Sequence, residues 1–88
     1  MIVIRKKSFT KSFDRLPVRL RDKVILALSV FEADPFDPRL RNHALRGRFA
    51  DLRSVDVTGD VRVLFREFDG AYELVELVDV GTHSKLYG

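Results

Sequence analysis

The sequence predicts a single α+β domain, residues 1–88, in which two helices near the N-terminus pack on a small antiparallel sheet. Apolar residues recur every three or four positions between residues 8 and 33, which is the period of a helix with one buried face. Short apolar segments separated by turn residues follow between residues 51 and 80, which is the pattern of antiparallel strands. A chain of 88 residues has material for only one hydrophobic core, so no second domain is expected.

The N-terminal part is predicted to contain one short strand and a helical hairpin. Residues 2–4 are β-branched and are followed by three cations, which is typical of a strand near a sheet edge. Ser8 is a suitable N-cap for a first helix, and Pro17 fits the first turn of a second helix that ends near Ala33. Because the two helices are joined tightly, both apolar stripes are expected to lie on the sheet.

A loop without periodicity is predicted from residue 34 to about residue 50. Residues before proline avoid the helical region, so Pro35 and Pro38 end the second helix. Loops of this length in a compact domain are usually functional or disordered. The basic or titratable side chains of the loop are Arg39, Arg41, His43, Arg46 and Arg48. We interpret the segment as an ordered binding loop whose arginines contact phosphates.

The rest of the chain is predicted to form three strands joined by two turns. The strands lie near residues 51–57, 60–68 and 71–80. Asp69 and Gly70 are typical of a two-residue hairpin turn, which would place Arg66 opposite Glu73.

The turn between the first two of these strands allows two registers. A two-residue loop would place Asp56 and Asp60 on opposite faces, whereas a three-residue loop built on a type I turn would pair them directly. We favour the second register, because Asp56 and Gly59 suit the first and fourth positions of that turn. It directs Val55, Val61, Val63 and Phe65 towards the helices. The polar residues that it gathers on the other face are Ser54, Asp56, Asp60, Arg62 and Arg66.

Charge is distributed unevenly along the chain. Residues 1–53 hold 13 basic and 6 acidic side chains, whereas residues 54–88 hold 3 and 7. Such a basic face attracts polyanions such as nucleic acid, although a merely solvated basic surface has the same composition. The chain has no cysteine, its N-terminal cations follow rather than precede the apolar residues, and no apolar run approaches about 20 residues. We therefore expect a cytoplasmic protein without disulfides, signal peptide or membrane span.

Two histidines and two aspartates are the candidate chemical groups. His43 lies in the basic loop and His83 in the polar segment 81–88, so neither is predicted to be a core residue, although exposed histidines are often only solvated. Asp56 and Asp60 would repel each other unless Arg62 or a function compensates them, and a turn cap with a surface ion pair explains them equally well. A metal site is disfavoured, because no ligand pair has helical spacing and arginines are close in sequence.

Three segments carry the most specific signal: NHALRG at residues 42–47, LRSVDVTGDVRVLFR at 52–66 and GTHSKLYG at 81–88. Together they resemble the YafQ branch of the RelE/ParE superfamily of bacterial and archaeal type II toxins. The resemblance covers essentially the whole chain and implies a RelE-like β-α-α-β-β-β fold with no cofactor. It also implies cleavage of mRNA, typically in the ribosomal A site, and a cognate antitoxin that wraps the toxin.

The resemblance also implies roles for individual residues. It places the family's loop histidine at His43, its turn aspartate at Asp60, its tail histidine at His83 and its penultimate aromatic residue at Tyr87. Two positions depart from the pattern: Asp56 stands where some members have histidine, and Val61 where some have an aromatic residue. A carboxylate is a weaker base near neutral pH, so the rate or the division of roles can differ here.

The implied mechanism needs no metal, because RNA supplies its own nucleophile, the 2′-hydroxyl. We predict His43 as general base and His83 as general acid, or the reverse, with Asp60 orienting one imidazole or raising its pKa. Tyr87 would position a base or the leaving group, and the products would be a 2′,3′-cyclic phosphate and a 5′-hydroxyl. The predicted catalytic set is His43, Asp56, Asp60, His83 and Tyr87. The predicted substrate-binding set is Arg46, Arg48, Arg62, Arg66 and Lys85.

Two other functions remain open at this point. A ParE-type toxin on the same fold would act on DNA gyrase, but histidines at both positions 43 and 83 argue against it, because a gyrase poison has no proton to transfer. A catalytically silent module that only binds an antitoxin is the second alternative. We expect a free toxin that is monomeric, that forms hetero-oligomers with a cognate antitoxin, and that acts on mRNA at the ribosome without a membrane partner.

Overall fold

The computed structural model describes residues 1–88 and contains three helices and five strands. The strands are β1 Ile2–Arg5, β2 His43–Ala44, β3 Arg53–Asp56, β4 Val61–Glu67 and β5 Leu74–Thr82. The helices are α1 Lys7–Arg15, α2 Val18–Ala33 and α3 His83–Tyr87, with single 3₁₀ turns at Pro38–Leu40 and Gly47–Phe49. No helix has the length and apolar character that crossing a membrane requires.

The strands form one sheet in the order β1-β5-β4-β3-β2, and the predicted α+β fold is confirmed. The sheet is mixed rather than purely antiparallel, because β1 runs parallel to β5 while the other pairs are antiparallel. A short hairpin forces its two strands to be antiparallel, but β1 and β5 are separated by most of the chain. The sequence therefore predicted the strand at residues 2–4 without indicating its partner.

Helices α1 and α2 cover one face of the sheet and bury the main core. Phe9, Val24 and Phe31 of the helices are buried against the sheet, and the rings of Phe31 and Phe65 lie 4.9 Å apart in an edge-to-face arrangement. The predicted N-cap at Ser8 is wrong: α1 already begins at Lys7, and the Ser8 hydroxyl donates to the Val78 carbonyl. This bond ties α1 to β5.

The turn between β3 and β4 is wider than predicted. Asp56 pairs with Arg62 and not with Asp60, and the Thr58 hydroxyl accepts the backbone amides of Asp60 and Val61 at 3.2 and 3.0 Å. This register places a carboxylate opposite a guanidinium instead of a second carboxylate. Because the shift is two positions along β4, the faces of both strands remain as predicted: Val55, Val61, Val63 and Phe65 all belong to the core under the helices.

The turn between β4 and β5 also differs from the prediction. Arg66 pairs with Glu76 rather than Glu73, and β5 begins at Leu74. Tyr72 is buried, adopts a positive φ of 57°, and packs its ring 6.0 Å from that of Phe31. A two-residue turn would have placed Tyr72 in a strand, so burial of this aromatic ring explains the longer loop.

A smaller cluster of apolar residues occupies the other face of the sheet. The cluster consists of three buried leucines: Leu52 directly before β3, Leu64 of β4 and Leu86 of α3. Leu86 thereby anchors α3, which begins directly after β5 with Thr82 as its N-cap, its hydroxyl accepting the Lys85 amide at 3.2 Å. The C-terminal polar segment is thus a short helix that Leu86 and the Thr82 cap hold in place.

Candidate active site

A cavity of about 310 Å³ opens on the face of the sheet that carries α3. It is assembled from the loop before β2, from β2 to β4 and from α3. Its lining consists of Arg41, His43, Leu45, Ser54, Arg62, His83 and Tyr87. The two histidines of the chain therefore line the same cavity although they are distant in sequence.

His43 is held by the pairing of its strand with β3 and by a hydrogen bond of its ring to a backbone carbonyl. It lies in β2, directly opposite Ser54 of β3, and its Nδ1 lies 2.8 Å from the carbonyl oxygen of Arg41. Because a carbonyl oxygen can only accept, Nδ1 must carry the proton of this bond. The neutral imidazole then has its lone pair on Nε2, so the ring is set to take up a proton there.

His83 and Tyr87 lie one turn apart on α3 and form a contact between their rings. The ring centroids are 4.7 Å apart, and the Tyr87 ring in turn lies edge-to-face with Phe49 at 5.3 Å. The His83 amide donates to the backbone carbonyl of Asp60 at 3.1 Å. The start of α3 is therefore tied to the β3–β4 turn, and the aromatic contacts define the orientation of the His83 ring.

Asp60 acts on the backbone of His83 and not on an imidazole. Its Oδ1 lies 3.4 Å from the His83 amide nitrogen, in addition to the carbonyl contact just described. Neither histidine ring has a contact with a carboxylate. Asp60 therefore contacts the backbone of the first residue of α3, and its predicted role towards an imidazole stays a prediction.

Asp56 holds two arginines at the edge of the cavity. Its Oδ2 lies 2.8 Å from Nε of Arg41, and its Oδ1 lies 3.0 Å from Nε of Arg62. Arg62 also donates to the carbonyls of Thr58 and Gly59 at 3.1 and 3.0 Å. Asp56 Oδ1 has no hydrogen-bond partner of good geometry, so the contact with Arg62 is an ion pair governed by charge.

The charges at the cavity favour an anion. Arg41 and Arg62 both line it, whereas Asp56 lies behind them and is not part of the lining. A cavity lined by two cations and two imidazoles, without a lining carboxylate, attracts a phosphate more readily than a metal cation. Nowhere in the chain do three or more side chains of the metal-ligating types come together.

Of the predicted substrate-binding residues, Arg62 lines the cavity, and the structure divides the other four into two groups. Arg46 and Arg48 are exposed and have no acidic partner; neither lines the cavity, and the Arg48 guanidinium stacks on Phe49 at 5.0 Å. Arg66 is bound instead to Asp51 and Glu76 on the sheet. The hydrogen bond between Arg66 and Asp51 lowers the pKa of the Asp51 carboxyl and raises the pKa of Arg66.

Lys85 is likewise engaged by the protein itself. Its Nζ contacts the Ser12 hydroxyl, the Val80 carbonyl at 3.1 Å and an oxygen of Asp79 at 3.4 Å. A side chain at Gly81 would meet the Lys85 stem, since a Cβ there would lie 2.7 Å from Cδ. Lys85 therefore joins α3 to α1 and β5 rather than extending into the cavity.

Two residues of the lining had no assigned role in the sequence. Leu45 packs against the small apolar cluster, and Ser54 is fully buried with a hydroxyl that has no hydrogen-bond partner. The sequence places Ser54 on the correct face of β3 but contains no signal for its exclusion from solvent. The burial of Ser54 depends on β2 and β4, which flank β3 in the sheet.

The fold is similar to those of several solved structures, toxins among them. YafQ from E. coli strain BL21(DE3) has a TM-score of 0.81 at 18% identity, over 98% of this chain and 97% of that one. The conserved hypothetical protein HP0894 from Helicobacter pylori has a TM-score of 0.76 at 30% identity, over 98% of each chain. The YoeB/ParE toxin from Agrobacterium tumefaciens has a TM-score of 0.75 at 20% identity, over 94% and 99% of the two chains. The fold is thus that of RelE/ParE-type toxins.

The sequence defines the family within this class. The family described as the bacterial toxin of type II toxin-antitoxin systems, YafQ, matches residues 3–88. None of the curated protein sequences matches the chain. The chain therefore belongs to the YafQ family of type II toxins, which confirms the resemblance drawn from the segments around His43, Asp60 and His83.

Proposed function

We propose that this toxin is an endoribonuclease that cleaves mRNA without a metal ion. The observation that carries the proposal is the position of His43 and His83 on one cavity that also presents two guanidinium groups. Cleavage by the 2′-hydroxyl requires a base for that hydroxyl, an acid for the 5′ leaving oxygen and positive charge for the phosphorane. The lining supplies a side chain for each of these tasks.

In this mechanism His43 is the general base. The hydrogen bond from Nδ1 to the Arg41 carbonyl leaves Nε2 of the neutral ring as the proton acceptor. His83 is then the general acid, and it protonates the leaving 5′ oxygen in its imidazolium form. A paired base and acid each contribute about 10²–10⁴-fold to such reactions.

The remaining groups position the phosphate and the nucleotide. Arg62 and Arg41 neutralise the non-bridging oxygens, and Asp56 holds both of them in place. Tyr87, packed between His83 and Phe49, presents an aromatic surface on which a base can stack. The products are a 2′,3′-cyclic phosphate and a 5′-hydroxyl end.

The proposed partners are a cognate antitoxin and the translating ribosome. E. coli YafQ has been solved in complex with DinJ at 20% identity to this chain, and RelBE2 from Mycobacterium tuberculosis has been solved as a toxin-antitoxin complex. The exposed Arg46 and Arg48 beside the cavity provide phosphate contacts for RNA.

Mapping of RNA ends tests the proposal directly. The purified toxin is incubated with ribosomes carrying a defined mRNA, and the cleaved ends are analysed for cyclic phosphate and 5′-hydroxyl groups. A single 2′-deoxy nucleotide at the cleavage position should abolish cleavage there, because it removes the nucleophile. If the wild-type toxin left the mRNA intact and instead trapped gyrase on DNA, the nuclease proposal would be wrong and a gyrase-directed function would take its place.

A further inference from the structure

Ser54 carries a polar group that the protein itself leaves without a partner. Its relative exposure is 0%, and its hydroxyl oxygen has no hydrogen bond in the structure. Burial of an unpaired hydroxyl destabilises a fold, so such groups in native proteins usually have a partner. An alanine would fill this position without that cost, which makes the hydroxyl a candidate for a contact with something outside the chain.

The surroundings of Ser54 show where that contact would be made. Ser54 lies opposite His43 on β2 and lines the cavity. Side chains of directly paired antiparallel residues are neighbours on one face, so Ser54 and His43 are neighbours in the lining. Along β3, the residues two positions away on the same face are Leu52 in the apolar cluster and Asp56, which holds the arginines. Ser54 thus lies between the apolar and the charged parts of this face, at the floor of the cavity.

The chemistry of the cavity defines the class of group that suits Ser54. Arg41 and Arg62 attract an anion to the opening, and a serine hydroxyl can donate one hydrogen bond to an anionic oxygen. A phosphodiester has two non-bridging oxygens. If the guanidinium groups at the edge of the cavity bind one of them, the other points into the cavity, where the Ser54 hydroxyl can donate to it. A water molecule would satisfy the hydroxyl equally well in the free protein, but it would be displaced by the phosphate.

We propose that the Ser54 hydroxyl is a substrate ligand that donates a hydrogen bond to a non-bridging oxygen of the phosphodiester bound beside His43. The proposal rests on the proposed nuclease function for the identity of the substrate, but the anion contact itself requires no catalysis. Since β3 lies inside the sheet between β2 and β4, the backbone that carries the donor is already in place before substrate binds. A donor held at this position stabilises the charge that develops on the phosphorane oxygens.

The first experiment measures anion binding without catalysis. Inorganic phosphate and a 2′-deoxy trinucleotide are titrated at low salt into the wild type, Ser54→Ala and Ser54→Cys, with affinities taken from amide chemical shifts. We expect Ser54→Ala to bind phosphate about 3- to 10-fold more weakly, because a hydrogen bond to a charged group is lost. Its Tm should be unchanged or higher, because an unpaired buried hydroxyl has been removed. Ser54→Cys, which keeps a weak donor on a somewhat larger atom, should bind phosphate with an affinity between those of the other two proteins.

A matched control separates this effect from serine replacement in general. Ser29 lies on α2, where its hydroxyl donates to the Ile25 carbonyl at 3.1 Å, away from the cavity. Ser29→Ala should bind phosphate as the wild type does. If Ser54→Ala also binds phosphate as tightly as the wild type, or if its Tm falls while its affinity is unchanged, the hydroxyl has no ligand role and the inference is overturned.

The second experiment examines the reaction with sulfur-substituted RNA. A phosphorothioate at the cleavage position replaces one non-bridging oxygen, and the two diastereomers are cleaved separately under single-turnover conditions. The wild type should cleave one diastereomer about 10-fold more slowly, and Ser54→Ala should reduce this difference because the donor that distinguishes them is absent. An equal diastereomer preference in both proteins would contradict the inference. If the wild type cleaves no RNA but Ser54→Ala still weakens phosphate binding, the nuclease proposal fails and the anion contact stands.

Discussion

The carboxylate of Asp56 and the guanidinium of Arg62 form an ion pair at 3.0 Å across the β3–β4 register. Their side chains are only 13% and 15% exposed, so solvent screens the pair weakly. Arg62 lines the cavity and Asp56 does not. We therefore propose that Asp56 acts through its arginine neighbours, as a positioning residue and not as a base.

Asp56→Asn should lower RNA cleavage without changing the shape of the pH–rate profile. The loss of the carboxylate leaves two guanidinium groups without their common partner, so we expect about 10- to 100-fold lower kcat/KM, from misplaced arginines. The stability should fall by about 1–3 kcal/mol, as measured by urea unfolding. Asp69→Asn, a replacement in an exposed loop, is the control for both measurements. A profile that loses one of its two limbs would show that Asp56 itself transfers a proton.

The two histidines should determine opposite limbs of the pH–rate profile. Wild-type kcat/KM is expected to fall at both low and high pH, because the base must be neutral and the acid protonated. His43→Gln should remove the fall at low pH, and His83→Gln the fall at high pH, each with about 10²–10⁴-fold lower rates. Single-turnover cleavage measured between pH 5 and 9 tests the assignment. If His43→Gln instead removed the fall at high pH and His83→Gln the fall at low pH, the roles of base and acid would be reversed.

Lys85→Met should reduce turnover through the position of α3 and not through RNA binding. The Nζ contacts with Ser12 and Val80 would be lost, so the orientation of His83 and Tyr87 would be less well defined. We expect about 10-fold lower kcat with an unchanged salt dependence of binding, since no phosphate contact is removed. A flatter salt dependence in this variant would show that Lys85 contacts RNA after all.

The arginines of the loop should contribute unequally to the salt dependence of RNA binding. Arg46 and Arg48 have no acidic partner, so the double replacement by glutamine should reduce the slope of log K against log salt by about 1–2. Arg39 is engaged by Asp37 at 2.9 Å, so Arg39→Gln should change the slope less. Filter binding of RNA over a range of salt concentrations measures both effects. Equal slopes for the wild type and the double variant would exclude these two arginines as phosphate contacts.

The Asp37–Arg39 pair should be visible as a titration at low pH. Side-chain hydrogen bonding with Arg39 lowers the pKa of Asp37 to about 2. Because the folded-state pKa lies below that of the unfolded chain, the pair stabilises the fold above about pH 4, and the contribution is lost as pH falls towards 2. Carboxyl carbon NMR shifts should give this value in the wild type and a higher pKa in Arg39→Gln, where only the hydrogen bond from the backbone amide of residue 39 still lowers it. An unchanged Asp37 titration in the variant would rule out Arg39 as the cause.

The sequence by itself determined the class of fold, the helical stripes and the faces of the strands. Val55, Val63 and Phe65 face the helices as their alternation predicts, and even the error in the Asp56 register left the faces intact because it was a shift of two positions. These properties depend on residues a few positions apart, so they can be read from local periodicity. The family and the two histidines could be recognised from short segments in the same way.

Only the tertiary structure decided which polar side chains are available to a substrate. Arg66 and Lys85 have the charge of phosphate ligands, yet Glu76 and Asp79 on β5 engage them across the fold. The pairing of β1 with β5 and the unpaired hydroxyl of Ser54 likewise depend on strands that are distant in the chain. Partners of this kind are selected by packing and by loop length, which no local pattern encodes.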